Sequence, residues 1–195
     1  MALKPYVVAL DLEMNQPSGS IIQIGAVLGD CRTGEIISTL SCMVNPQEVL
    51  SADITALTGI TQQQVDTAQP LVQVADVLEQ WLAPWKKQRL LNPVTWGGGD
   101  SLTLQRQLGL NDEDFSRYFG RRWLDAKTVY SAWAIRQGKE PFGGLEKAMH
   151  RLGLTFEGRA HDALVDAHNT FRVWHHLITL FPLSLSPSNK VKAIV

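Results

Sequence analysis

Asp11 and Glu13 stand one residue apart at the end of an apolar run, Tyr6-Val-Val-Ala-Leu-Asp-Leu-Glu13, and the chain later supplies Asp100 and the pair His161 and Asp166. Carboxylates are hard oxygen ligands for divalent cations, and histidine is the side chain best suited to pass protons near neutral pH. Four such acids and one histidine are the inventory that two-metal cleavage of a phosphodiester needs. The run from Tyr6 reads as a strand buried on both faces. Side chains alternate along a strand, so Asp11 and Glu13 point one way while Leu12 points into the opposite layer. Like charges that close repel and raise one another's pKa unless a cation sits between them. Taken alone, the two acids also fit a polar strand end that reaches solvent.

Asp100 follows Gly97-Gly98-Gly99 at the C-terminal end of an expected strand that starts at Val94, the end where ligands gather in α/β sheets. On its own it reads as the N-cap of the helix that begins there, a role compatible with holding a metal. The glycines come with neither GxGxxG nor a following Lys-Ser/Thr, which argues against a nicotinamide-binding α/β protein. In Gly158-RAHDALVDAHNTFRVWHHL, the apolar residues Leu164, Phe171, Trp174, Leu177 and Ile178 set a helix capped by Asp162. His161 then lies on the loop before that helix, and Asp166 lies one turn inside it, able to face the sheet. His168, His175 and His176 read as surface or rim residues. His150 and Asp125 read as ordinary too, Asp125 being suited to cap the next helix.

Other elements must bring these residues together. Ile21 to Leu28 is a second apolar strand, and Gly29-Asp30 with Thr33-Gly34 frame a turn into a third over Ile36 to Val44, which predicts an antiparallel meander. Helical signals follow in Ser51-ADITALTG, Thr61-QQQV and Leu71-VQVADVLEQWL, the last with apolar residues on one face and an end at Pro84. Further expectations are a helix from Asp100 to Leu108, a strand at Arg122-WLDA and a helix from Lys127 to Arg136. Two more helices, about Leu145 to Leu152 and Asp162 to Leu180, close a domain over residues 1–180. The Ser/Pro-rich stretch from Phe181 is expected to be a flexible tail.

The length of 195 residues suits one substantial core, and a net charge of −1 argues against a broad basic surface gripping duplex DNA. It leaves room for a local groove at one strand end. Cys31 and Cys42 lack zinc-ligand spacing and read as buried thiols in a reducing compartment. With no signal-peptide pattern and no long apolar run, the expected setting is soluble and cytoplasmic, with no membrane partner.

The order DxE, a distant Asp, then H-x4-D resembles the DEDDh 3′-to-5′ exonucleases of the ribonuclease H-like fold. Between these motifs the chain is most similar to the small exoribonuclease branch typified by the histone-mRNA 3′ exonuclease and the enhancer-of-RNA-interference nucleases. Leu57-TGITQQQVD66, Gly144-LEKAMHRLGL154 and Phe156-EGRAHDALVDAHNT170 carry the likeness, which runs from about Val7 to Ile178. It implies an α/β fold with a central mixed five-stranded sheet flanked by helices. It also implies two Mg²⁺ or Mn²⁺ ions held by Asp11, Glu13 and Asp166, with Asp11 bridging and Asp100 completing the ligand set of the second ion. His161 would be the general base, and the product a nucleoside 5′-monophosphate.

The likeness sets Leu57 and Thr58 beside the terminal nucleotide, Leu57 as an apolar wedge, with backbone near Met14 at the 3′ end. Trp96 is the aromatic nearest Asp100, where relatives often carry a bulky ring, and is expected to serve the substrate. The implied partner is a single-stranded 3′ end, of RNA before DNA. A DNA-directed exonuclease shares every catalytic residue. A non-catalytic RNA-binding module is the alternative of another class, and it has no need for crowded acids.

Overall fold

The computed structural model describes residues 6–86, 92–120 and 122–180, and the Ser/Pro-rich stretch from 181 lies outside them. Three long strands form the expected meander: β1 (Tyr6–Met14), β2 (Ile21–Asp30) and β3 (Ile36–Asn45). β1 pairs antiparallel with β2 and β2 with β3, Asp11 lying opposite Gly25 and Glu13 opposite Gln23. Three two-residue strands complete the sheet in parallel pairings: β4 (Gln69–Pro70) on β3, β5 (Val94–Thr95) on β1 and β6 (Leu124–Asp125) on β5. The sheet order is β4-β3-β2-β1-β5-β6, so the α/β mixed sheet has six strands where five were expected. The extra strand is β4, whose Pro70 suits an edge.

Alternation along β1 divides the molecule into layers. Val8, Leu10 and Leu12 face one way, with Ile24, Ala26 and Leu28 of β2. They pack against α3 (Leu71–Lys86), α4 (Gly99–Leu108) and α5 (Asp112–Phe119) through Leu78, Leu82, Leu104, Phe115 and Phe119. Val7, Ala9 and Val27 face the other way, toward α6 (Ala126–Arg136) and α8 (Ala163–Thr179), meeting Ala126, Ala167 and Phe171. Each such large aliphatic or aromatic side chain, fully buried, contributes about 1.5–3 kcal/mol. Asp11 and Glu13, at odd positions, therefore fall on the α8 side.

The helices α1 (Ala52–Thr58), α2 (Gln62–Asp66) and α7 (Leu145–Arg151) also lie where expected. Ser51 caps α1 and Gly59 closes it in the left-handed region, while Thr61 and Gln64 form a capping box on α2. Pro84 does not end α3, which runs two residues further to Lys86. Proline removes only its own N–H bond near the helix end, and Trp85 holds the last turn by meeting Tyr6 edge-on at 5.2 Å. Val77, one of the apolar residues of α3, is exposed. Cys31 is buried but Cys42, on β3, is only half-buried. α5 has no counterpart among the expected elements, and its N-cap Asn111 accepts from the Asp114 N–H at 2.9 Å. Among the described residues no helix is long and apolar enough to cross a membrane.

Candidate active site

Glu13, His161 and Asp166 each turn a ligand-type atom into one spot, these atoms all lying within 4.8 Å of one another. Glu13 is brought by the end of β1 and is buried. Asp166 comes from the first turn of α8, whose N-cap Asp162 accepts from the N–H groups of Leu164 and Val165 at 3.0 and 3.1 Å. His161 precedes that cap with φ +63, an uncommon conformation for a residue with a side chain. Its backbone N–H donates to Asp166 Oδ2 at 3.0 Å. The loop histidine and the helical acid are thus locked together.

Asp100 arrives from the neighbouring strand. β5 lies parallel to β1 with Val94 opposite Ala9, so the turn after β5 opens at the end of β1 that carries Asp11 and Glu13. Thr95 Oγ1 donates to the Gly97 carbonyl at 2.6 Å, and the Gly97 N–H donates to Asp125 Oδ1 at 3.0 Å. Asp125 also caps α6 by accepting from Lys127 and Thr128 N–H. Asp100 is not the helix cap it was expected to be. α4 begins one residue earlier, at Gly99, with Gly98 at the cap position, and this leaves the Asp100 carboxylate free for the site.

Burial and crowding set the electrostatics. Asp11 is held well above the usual carboxylate range by desolvation first, then by the charges of Asp100, Asp166, Glu13 and Asp162. Burial, with Asp166, Asp162 and Asp100, pushes Glu13 to about 7, and burial pushes Asp100 to about 7. Desolvation also raises Asp166, against the lowering effect of the His161 N–H and imidazole. The fold therefore holds together acids that repel one another and are shielded from water. A divalent cation with oxygen ligands is the species that relieves this arrangement, and the donor set of Asp11, Glu13, Asp100 and Asp166 fits Mg²⁺ or Mn²⁺. Asp162 was read only as a cap, yet its charge also bears on Asp11 and Glu13.

The residues expected to contact substrate divide. Leu57 is 47% exposed at the end of α1, and its carbonyl accepts from Arg159 Nη2 at 3.2 Å, which ties that end to the histidine loop. Met14 is half-buried where β1 stops. Thr58 is buried, its hydroxyl donating to the Ile54 carbonyl at 2.8 Å and accepting from the Ile60 N–H at 3.0 Å. Its hydroxyl is bonded to backbone on both sides of the α1 C-terminus, so the side chain is not free for the expected substrate contact. Trp96 packs into the core on the α6 and α8 side, its ring 5.7 Å from Tyr130 and its indole N–H buried. That packing turns the ring toward the core and away from its expected contact with substrate. His175 is half-buried, with Nε2 shielded and the ring over Phe171 at 6.3 Å.

Comparison with known proteins agrees with the geometry. The family model described as Exonuclease matches residues 8–92. ERI1 exoribonuclease 2 of Danio rerio is 32% identical over 185 residues, covering 86% of this chain and 33% of that protein. The 3′-5′ exonuclease Snipper of Drosophila melanogaster is 29% identical over 197 residues, covering 87% of this chain and 68% of that protein. The chain therefore spans about a third of the length of the first of these relatives. The solved nuclease domain of 3′hExo, described as a DEDDh family member bound to rAMP, superposes with a TM-score of 0.77. Its 23% identity, over 91% of this chain and 94% of that one, speaks for the fold alone. Motif order, the converging acids and these relatives support reading the chain as a DEDDh 3′-5′ exonuclease, close to the histone-mRNA 3′ exonuclease and ERI1 branch.

Proposed function

We propose that this chain hydrolyses phosphodiester bonds one nucleotide at a time from single-stranded 3′ ends, RNA in preference to DNA, releasing nucleoside 5′-monophosphates. The observation that carries the proposal is the cluster itself: mutually repelling acids held at one sheet end, with His161 within 4.8 Å of Glu13 and Asp166 ligand atoms. Asp11, Glu13 and Asp166 would hold two Mg²⁺ or Mn²⁺ ions, with Asp100 completing the set. When bound, such ions supply Lewis acidity and offset the charge that builds on the attacking and leaving oxygens.

The chain's own residues do the rest. His161 accepts the proton of the attacking water, an oxygen–phosphorus bond forms, and the bond from phosphorus to the upstream 3′ oxygen breaks, that oxygen taking a proton from solvent to become a new 3′ hydroxyl. The raised carboxyls of Glu13 and Asp100 are consistent with a site that lacks its counter-charge until cations enter. Exposed Leu57 offers an apolar surface for the terminal base, and the backbone near Met14 lines the 3′ end. Preference for RNA is supported by the ERI1 exoribonuclease relatives, and a net charge of −1 suits a short grip on one strand end. Single-turnover rates on matched RNA and DNA oligonucleotides with Mg²⁺ test this. Faster removal from RNA is expected, and equal or faster removal from DNA would reassign the substrate.

A further inference from the structure

Gln23 is a polar residue near the start of a strand that is otherwise buried and mostly apolar, and it is only 1% exposed. It stands opposite Glu13 across the β1–β2 ladder. Its Oε1 accepts from the Ala163 N–H at 3.0 Å, a contact between residues 140 apart in sequence. Its Nε2 reaches Ser41 Oγ at 3.3 Å and Asp162 Oδ2 at 3.5 Å.

Ala163 is the first residue of α8, and a helix's first N–H groups have no partner inside the helix. Here every one of them is satisfied. The Leu164 and Val165 N–H groups go to the Asp162 side chain and the Asp166 N–H goes to the Asp162 carbonyl at 2.9 Å. Ala163 alone depends on a residue from the sheet. Two positions along the same face of β2, Gly25 lies opposite Asp11, and a Cβ there would overlap the backbone of Ala163 and Leu164. The missing side chain lets α8 lie directly on the strand, and the Gln23 carbonyl fixes how far along the strand it starts.

We propose that Gln23 is a positioning residue for the hydrolysis: its buried amide pins the start of α8 to β2 and so sets where Asp166 and His161 stand relative to Asp11 and Glu13. The inference rests on the proposed nuclease reading for its functional consequence. The coupling runs through named contacts, from Gln23 to Ala163 and Asp162, from Asp162 to the Asp166 backbone, and from the Asp166 carboxylate to the His161 N–H. An amide suits the place because it offers an acceptor and a donor without adding a charge to acids that already repel. Its volume alone does not explain it, since a methionine fills similar space.

The test compares Gln23→Met, Gln23→Glu and, as a control of stability alone, Leu145→Ala in α7. Gln23→Met is expected to weaken Mn²⁺ binding in calorimetry and to lower kcat on a single-stranded RNA by about 10–100-fold, with KM little changed, as loss of a ligand-orienting partner does. Gln23→Glu keeps the 3.0 Å acceptor and is expected to recover most of kcat at saturating Mn²⁺. Leu145→Ala should lower the melting temperature while leaving both readouts at wild-type values. Hydrogen exchange at the Ala163 and Asp166 amides needs neither metal nor substrate, and both should exchange faster in Gln23→Met. If Gln23→Met merely melts earlier, with wild-type Mn²⁺ affinity, kcat and exchange, the positioning role is overturned. If the wild-type protein fails to cleave RNA while the exchange difference stands, the nuclease reading falls and the pinning of α8 does not. Should Gln23→Met not fold, Gln23→Asn, one methylene too short to reach Ala163, replaces it with the same expectations.

Discussion

Replacing Asp100 with Asn should stabilise the metal-free protein at pH 8 and do so less and less as the pH falls. Burial lifts this carboxyl from its ordinary 3.8 to about 7, so at pH 8 the fold holds a charge that it disfavours. Each pKa unit corresponds to about 1.4 kcal/mol, and about three units set an upper limit of roughly 4 kcal/mol on that penalty. Asp100 is half-buried, and water and the neighbouring acids' shared protons screen it, which leaves an expected gain of about 1–3 kcal/mol for the neutral amide. For a domain of this size that is a rise of roughly 2–12 °C in melting temperature. The sign follows from a folded pKa above the unfolded one. Stability from this group is whole below about 3.8, drains away as the pH climbs toward about 7, and is constant above that. Asn titrates nowhere in the range, so the two melting curves should converge near pH 4. Thermal melts of both proteins in EDTA, from pH 4 to 8, provide the assay. An Asn variant that melts lower at pH 8, or differs by the same amount at every pH, would refute the reasoning.

Adding Mg²⁺ or Mn²⁺ should raise the melting temperature of the wild-type protein, since an ion bound only by the folded acids stabilises by about 2.7 kcal/mol at a hundredfold excess over Kd. Calorimetry that detects no divalent binding at millimolar concentrations, even with a nucleoside monophosphate present, would contradict the metal assignment. His161→Asn should lower the single-turnover rate by about 10²–10⁴-fold while leaving Mn²⁺ affinity nearly unchanged, as loss of a general base does. A variant that fails only because it no longer binds metal would make His161 a ligand, which its distance of no more than 4.8 Å from Glu13 and Asp166 ligand atoms permits.

The cluster was legible in the sequence where local rules decide direction. Alternation along β1 put Asp11 and Glu13 on one face, and the capping preference of Asp162 put His161 before α8 and Asp166 within it. The same capping rule misplaced Asp100, because a run of glycines gives no side chain to mark where a helix begins and Gly99 became its first residue. Thr58 and Trp96 were assigned by neighbourhood, and residue type does not tell which way a side chain turns. A threonine hydroxyl bonded back to the Ile54 carbonyl and a tryptophan packed on Tyr130 are settled by tertiary packing. Pro84 failed as a stop because Trp85 finds Tyr6, at the far end of the described chain. Gln23 lacked any local signal, since its partner on α8 is 140 residues away.

The central claim is that the acids at the end of β1, joined by Asp100, Asp166 and His161, perform cation-dependent cleavage from a 3′ end. The most direct measurement is a time course on 5′-labelled single-stranded RNA with Mg²⁺, analysed on a sequencing gel beside chromatography of the small products, with EDTA and Asp11→Asn as the two comparisons. A ladder that shortens by one nucleotide at a time is expected, with nucleoside 5′-monophosphates as the released product. EDTA and Asp11→Asn should both abolish it, the variant remaining folded at a melting temperature no lower than that of the metal-free wild type. Undiminished cleavage in EDTA, shortening from the labelled 5′ end, or near wild-type turnover by Asp11→Asn would contradict it.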